Sequence, residues 1–242
     1  MCRLLSYVQA DESPISGAVS DVLARFTALS AVHKDGWGVA WHTPDDEVRV
    51  DREPLTAAAS PRYVDQLHTV SDAAVLHLRQ ATPGIDVSAA NTHPFSRDGI
   101  GFAHNGFVGP VDDFASLIDP SLVPEGSTDS ELYFLAVLTA MRSGVSPAQA
   151  LKQVAGRLVE LELTFSANAM LLTADALHVV CAYVPGRQAA GNPPDYYALR
   201  YHVDAEKVIV ASQGIAFDDW TDLPNGSVLT IARSSLERSI LD

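Results

Sequence analysis

The sequence predicts an α+β layered domain, with antiparallel sheets and helices packed outside them. Three observations predict it. Runs of strand length and composition occupy both ends of the chain, with a helical stretch between them. Neighbouring strand-like runs are joined by tight connections, which mark hairpins, and regular βαβ units are lacking. Hydrophobic residues make up 47% of the 242 positions, enough for a substantial core.

Arg3 to Val8 reads as a short strand, and Gly17 to about Leu29 as a helix. Gly36 to His42 is an aromatic, glycine-rich strand, and Val48 to Val50 continues it as a hairpin partner. Trp37 and Trp41 alternate along it as core or pocket wall, and Asp45, Asp46 and Glu47 form a solvated turn. Ala73 to Arg79 is an apolar run of strand length. Gly99 to Val108 reads as a strand broken by Asn105-Gly106, a pair suited to positive φ. Thr128 or Asp129 caps a helix over Ser130 to Met141, in which Leu132, Leu135, Ala136 and Thr139 share one side. Ser146 with Pro147 starts a second helix reaching about Glu162. Strands return at Ala169 to Thr173 and Leu177 to Val184, joined by a hairpin at Ala174-Asp175-Ala176. Tyr196 to His202, Val208 to Ala211 and Val228 to Ala232 follow. Pro185 to Asp195 is an exposed loop rich in Gly, Pro and Asn, and Pro120 to Ser127 is too short for an interdomain linker, so one domain is expected over 1–242.

Composition narrows the function. A formal net charge of -14 repels phosphate backbones, so nucleic acid is not an expected partner. There is no run of 18 apolar residues, so no membrane-spanning helix is expected. The start lacks a secretory pattern, and the two cysteines, Cys2 and Cys181, form no disulfide framework; the cytoplasm is the expected compartment. Neither HExxH nor paired CxxC occurs among the eight histidines, so no metal and no cofactor is expected. Gly99-Ile100-Gly101-Phe102 lacks the later glycine of a dinucleotide loop, and Cys181 reads as an inert core thiol.

The chemistry starts at Cys2. Removal of Met1, expected before a small residue, places an α-amine and a thiol on one residue. An α-amine titrates near pH ~8, so it can take the thiol proton and return a proton to a leaving amine. Position alone better suits a small apolar residue at a strand start, and the other segments shift that reading. Arg79, ending a strand, offers a fork for a free carboxylate, and also suits a structural ion pair. Asn105 beside Gly106 offers an amide and a backbone N–H for an oxyanion, and also suits a turn. Asp129 offers a carboxylate for an ammonium group, and also suits an N-cap. A carboxylate clamp and an amine clamp together describe an α-amino acid ligand.

These residues lie in segments that, taken together, are specific. Met1-Cys2-Arg3-Leu4-Leu5, Lys34-Asp35-Gly36-Trp37-Gly38, His77-Leu78-Arg79, Asn91-Thr92-His93-Pro94-Phe95, His104-Asn105-Gly106 and Thr128-Asp129-Ser130-Glu131 occur in that order. The chain resembles the class II glutamine amidotransferases among the N-terminal nucleophile hydrolases. Ser212-Gln213, Trp220 and Leu223-Pro224-Asn225-Gly226 extend the likeness to stand-alone members. The resemblance implies a four-layer αββα sandwich, two antiparallel sheets between helical layers. It implies that Cys2 attacks the γ-carboxamide, that Asn105 and the Gly106 N–H hold the oxyanion, and that a γ-glutamyl thioester forms and is hydrolysed. Arg79 then binds the α-carboxylate and Asp129 the α-amine, with Thr82 and His93 lining the pocket.

The implied substrate is glutamine or a γ-glutamyl amide. The residues after Asp129 read as completing the first domain, without room for a synthase domain. Ammonia therefore goes to a separate synthase subunit, or the protein is a plain amidohydrolase. The stand-alone group is also similar to the γ-glutamyl hydrolase of ergothioneine biosynthesis, and a non-catalytic glutamine sensor is a further alternative. Loops such as Pro110 to Ser127 and Val184 to Asp195 are expected to read the leaving half.

Overall fold

Two antiparallel sheets lie face to face in the computed structural model, which describes residues 2–109, 115–188 and 191–242. The first sheet contains β1 (Arg3–Pro14), β2 (Gly36–His42), β3 (Val48–Glu53), β4 (Val70–Arg79), β9 (Leu199–Val203), β10 (Lys207–Ser212) and β11 (Thr221–Asp222). Its order is β11-β9-β10-β1-β4-β2-β3. The second contains β5 (Phe95–Arg97), β6 (Ile100–Val108), β7 (Thr164–Leu172), β8 (Ala176–Cys181), β12 (Ser227–Ala232) and β13 (Arg238–Leu241), in the order β13-β12-β8-β7-β6-β5.

Side-chain alternation builds the layers. Leu4 and Val8 of β1 face the second sheet and meet Ala103, Met170, Val179 and Leu229, while Leu5 and Tyr7 face the other way. That outer face is covered by α1 (Ile15–Ala18), α2 (Ser20–Ala28) and α3 (Pro61–Gln66), through Ile15, Val22, Phe26 and Tyr63. The outer face of the second sheet is covered by α4 (Asp129–Arg142) and α5 (Pro147–Glu160), with Phe134, Leu138, Leu151 and Leu158 on Phe102, Leu171 and Val180. Helix, sheet, sheet, helix is the four-layer sandwich expected, and each buried leucine or phenylalanine contributes roughly 1.5–3 kcal/mol of burial.

Several elements differ from their sequence reading. The helix expected over Gly17 to Leu29 is two helices, because Val19 leaves helical geometry at φ -113° and ψ 23°. The expected break at Asn105-Gly106 does not occur. Asn105 pairs with Asn168 and Gly106 with Ala167, and Gly106 has no positive φ. The glycine is required by close approach, since a Cβ there would collide with the Ser166 carbonyl oxygen. Thr128 is the cap of α4, accepting from the Glu131 N–H at 3.2 Å, and Asp129 is already inside the helix. Ser146 caps α5 as read, with Pro147 at its first turn. The short strands β5, β11 and β13 and the helix α3 were not legible in the sequence pattern.

Candidate active site

The register of β1 sets the surroundings of Cys2, the expected nucleophile. Arg3 pairs with Leu78 and Leu4 with His77, so Cys2, one residue further out, falls beside Arg79 at the end of β4. The Leu4 N–H is held from the other side by Ser212 Oγ at 2.9 Å. Cys2 is buried, with its Sγ 3.8 Å from the Gln80 carbonyl oxygen. Burial pushes the Cys2 thiol above its ordinary value; the Gln80 contact and the Arg79 charge oppose this, and the Asp129 charge adds to it. Met1, whose removal is expected before a residue as small as Cys2, lies outside the described residues.

Arg79 is 3% exposed, and its Nη2 donates to the Asp86 carbonyl oxygen at 3.2 Å. Its Nη1 is buried without a partner. Burial draws its pKa down, while the charges of Cys2, Asp35 and Asp129 draw it up. Such a guanidinium has donor capacity left over for an incoming carboxylate. The Lys34–Gly38 segment braces it from behind. The Asp35 N–H donates to the Arg79 carbonyl at 3.0 Å, and Asp35 Oδ2 accepts from the Ala81 N–H at 2.9 Å.

Asn105 sits on β6, 1% exposed, and both its side-chain nitrogen and oxygen are buried without partners. A buried carboxamide with nothing to bond costs about 1–3 kcal/mol, which stability alone does not explain. Its backbone is fixed, with Ser166 Oγ donating to the Asn105 carbonyl at 2.8 Å. Asp129 Oδ2 accepts from the Val108 N–H at 2.6 Å, and its Oδ1 accepts from the Ser130 N–H at 2.9 Å. The carboxylate thus ties the start of α4 to the end of β6.

Behind these groups lies a buried histidine cluster. His104 Nε2 is 3.0 Å from the Ser166 carbonyl, which only accepts, so the proton sits there and Nδ1 accepts from the Ser130 hydroxyl at 2.9 Å. The His77 and His93 rings lie 4.3 Å apart, and His93 also packs on Phe95 at 4.5 Å. Both ring nitrogens of His93 lack partners. Burial lowers the pKa of all three, to about 3 for His77.

A cleft of about 810 Å³ opens at Gln80, the residue whose carbonyl oxygen lies 3.8 Å from Cys2 Sγ. Gln80, Thr82 and Gly106 line it, so the structure brings Thr82 and the proposed oxyanion donor to one wall. Cys2, Arg79, His93, Asn105 and Asp129 are not among its lining residues; all five are buried. Among the described residues no group of His, Cys, Asp and Glu is placed to hold a metal ion. No helix of the described residues is long and apolar enough to cross a membrane. Cys181 is buried on β8, its thiol pushed up to about 12 by burial.

Sequence reasoning missed several supports. Arg52 Nη1 donates to the Thr92 and Pro94 carbonyls at 3.1 and 3.0 Å, holding the Asn91–Phe95 segment, and no local signal marks it. Glu131 accepts from the Glu125 and Gly126 N–H groups at 2.7 and 2.8 Å. The Thr128-x-x-Glu131 spacing of a capping box was a signal for that residue. Asn91 Oδ1 accepts from the Ser127 N–H at 2.7 Å, joining the same two loops.

A thiol at the start of β1 in a two-sheet sandwich, beside a buried guanidinium at the end of β4, fits a class of enzyme with an N-terminal nucleophile. The family model for class II glutamine amidotransferases matches residues 1–184, and the chain belongs to that family, whose reaction is hydrolysis or transfer of the glutamine amide. It is 26% identical to the probable glutamine amidotransferase DUG3 of Saccharomyces cerevisiae over 89% of this chain and 74% of that protein. Its fold is similar to a glutamine aminotransferase class-II domain protein from Silicibacter pomeroyi, with a TM-score of 0.69, 22% identity, and 99% and 98% of the two chains covered. It is also similar to glutamine phosphoribosylpyrophosphate amidotransferase from B. subtilis, with a TM-score of 0.67, 18% identity, and 98% of this chain but 48% of that one covered.

Proposed function

We propose that this protein hydrolyses the γ-amide of glutamine or of a γ-glutamyl amide through a γ-glutamyl thioester on Cys2, releasing glutamate and ammonia or an amine. The observation that carries the reading is the pair of unsatisfied buried donors, Arg79 Nη1 and the Asn105 carboxamide, in the surroundings of a buried thiol. Each is costly to folding and useful only when a ligand completes it.

In this reading residues 1–242 act as one domain. Arg79 takes the substrate α-carboxylate, and Asp129 takes the α-amine with lone pairs not used on Val108 and Ser130. Thr82 closes one side, and His93 shapes the layer beneath. The α-amine freed by loss of Met1 accepts the Cys2 proton, and the sulfur attacks the γ-carbonyl carbon. The oxygen gains negative charge and is held by the Asn105 Nδ2 and the Gly106 N–H. The C–N bond breaks as the ammonium returns a proton to the leaving nitrogen. Water then attacks the thioester, glutamate leaves and the thiol is restored. The buried thiol, pushed up in pKa, needs such a built-in base to react near neutrality.

The test is glutamate release by purified protein whose intact mass reports whether Met1 is present, with L-glutamine and γ-glutamyl-cysteine-type amides in parallel. Turnover that disappears in Cys2→Ala supports the reading. Equal release by that variant overturns it. Turnover of glutamine that rises when a synthase subunit is added marks an ammonia donor, and preference for the thiol amide marks a thiol pathway such as ergothioneine biosynthesis.

A further inference from the structure

The cleft that Gln80 shares with the surroundings of Cys2 is larger and more aromatic than ammonia requires. Its volume of about 810 Å³ lies toward the upper end of small-molecule sites. Gln80 and Gly106 line it together with Val32, which is 60% exposed. Phe107 and Phe165 stand along it 37% and 40% exposed, with their rings 6.2 Å apart. Three of the exposed large hydrophobic side chains therefore sit around one opening, where leaving them in water is unfavourable. Tyr196 and Tyr197 form another part of the wall, their rings edge to face at 5.3 Å. Arg3 connects this wall to the Cys2 backbone, with its guanidinium 4.5 Å from the Tyr196 ring centre and its Nη1 donating to the Cys2 carbonyl at 3.0 Å.

Charge in the cleft runs against that of the molecule. The chain carries a formal net charge of -14, yet the lining residues include Arg187 and no carboxylate. Arg187 Nη2 lies 3.6 Å from Glu162 in an exposed pair, which is weak enough for a ligand carboxylate to replace. An aromatic wall with a cation near its mouth matches an amino acid bearing a large apolar side chain.

We propose that this cleft binds the amine half of a γ-glutamyl dipeptide, and that this half is an aromatic or bulky apolar amino acid. Its side chain packs among Phe107, Phe165 and Tyr196, and its carboxylate meets Arg187. The inference rests on the hydrolase reading above and specifies its substrate. Cys2 sulfur bonds to the γ-carbonyl carbon, the peptide C–N bond breaks, and the amino acid leaves with a proton from the Cys2 α-ammonium. Water then cleaves the thioester to give glutamate and the thiol.

The experiment measures glutamate release from γ-glutamyl-phenylalanine, γ-glutamyl-alanine, γ-glutamyl-phenethylamine and L-glutamine. The expected kcat/KM for the phenylalanine peptide exceeds those of the alanine peptide and of the phenethylamide by about tenfold each. In Phe165→Ala the phenylalanine-to-alanine ratio falls toward one, and in Arg187→Gln the phenylalanine-to-phenethylamide ratio does the same. Ratios taken within one preparation cancel any loss of folded enzyme. Turnover of glutamine with no preference among the amides overturns the substrate inference and leaves the hydrolase reading standing, and marks the rim as a surface for something else. No Cys2-dependent release from any of the four overturns both.

Discussion

Asp129 Oδ2 accepts the Val108 backbone N–H at 2.6 Å, two residues beyond Gly106, so the helix that carries the proposed amine clamp is fastened to the strand that carries Asn105. In the proposed reading one carboxylate serves position and charge together, and substitutions can separate them. Asp129→Asn retains a carbonyl oxygen for one backbone N–H and removes the charge. Its KM for glutamine is expected to rise roughly 10- to 100-fold, the worth of a charged hydrogen bond, with a small change in Tm. Asp129→Ala loses both, and its Tm falls as well. Steady-state kinetics beside thermal unfolding of both variants provides the check.

Asn105 makes the opposite prediction. Its carboxamide bonds to nothing in the resting structure, so its removal leaves no partner stranded. Asn105→Ala is expected to lower kcat roughly 10²- to 10³-fold, the cost of an oxyanion donor, without the Tm loss that deleting a paired buried amide brings. A fall in Tm with kcat retained would assign the residue to folding instead.

Two glycines should respond to alanine with opposite signs. Gly106→Ala drives a Cβ into the Ser166 carbonyl and toward His104 Nε2, against backbone that cannot swing aside. A loss of about 1–3 kcal/mol is expected from overpacking alone. Gly156 lies inside α5 with nothing within 4 Å of a built Cβ, so Gly156→Ala should stabilise by about 0.5–1 kcal/mol. Urea denaturation of the two variants decides both.

Acid should unfold the protein through its histidines. His77, His93 and His104 have folded pKa values depressed by burial, His77 to about 3. Below the unfolded value near ~6.5, the unfolded chain takes up protons that the folded one refuses, so stability falls as pH falls. Each neutral histidine contributes a slope of about 1.4 kcal/mol per pH unit between its unfolded and folded pKa values. His77→Phe should reduce the slope of stability against pH between 6.5 and 4. An unchanged slope would show that His77 is not held neutral.

The elements that came out of the sequence are those whose cause lies within a few residues of chain. Thr128 and Ser146 bond N–H groups three positions on, and alternation along Arg3 to Val8 chooses two faces. The ordered segments that carry Cys2, Arg79, Asn105 and Asp129 were equally readable, as residue types suited to amide chemistry. Only the tertiary structure decided what each of them touches. It showed Gly106 demanded by the Ser166 carbonyl and not by a turn, Asp129 fastened to Val108, and Arg52 holding Thr92 and Pro94 from another strand. It also set Arg3 against Tyr196, far along the chain. Such contacts depend on which sheet edges meet, and burial and close approach choose those partners across the whole chain, where no local period or cap records them.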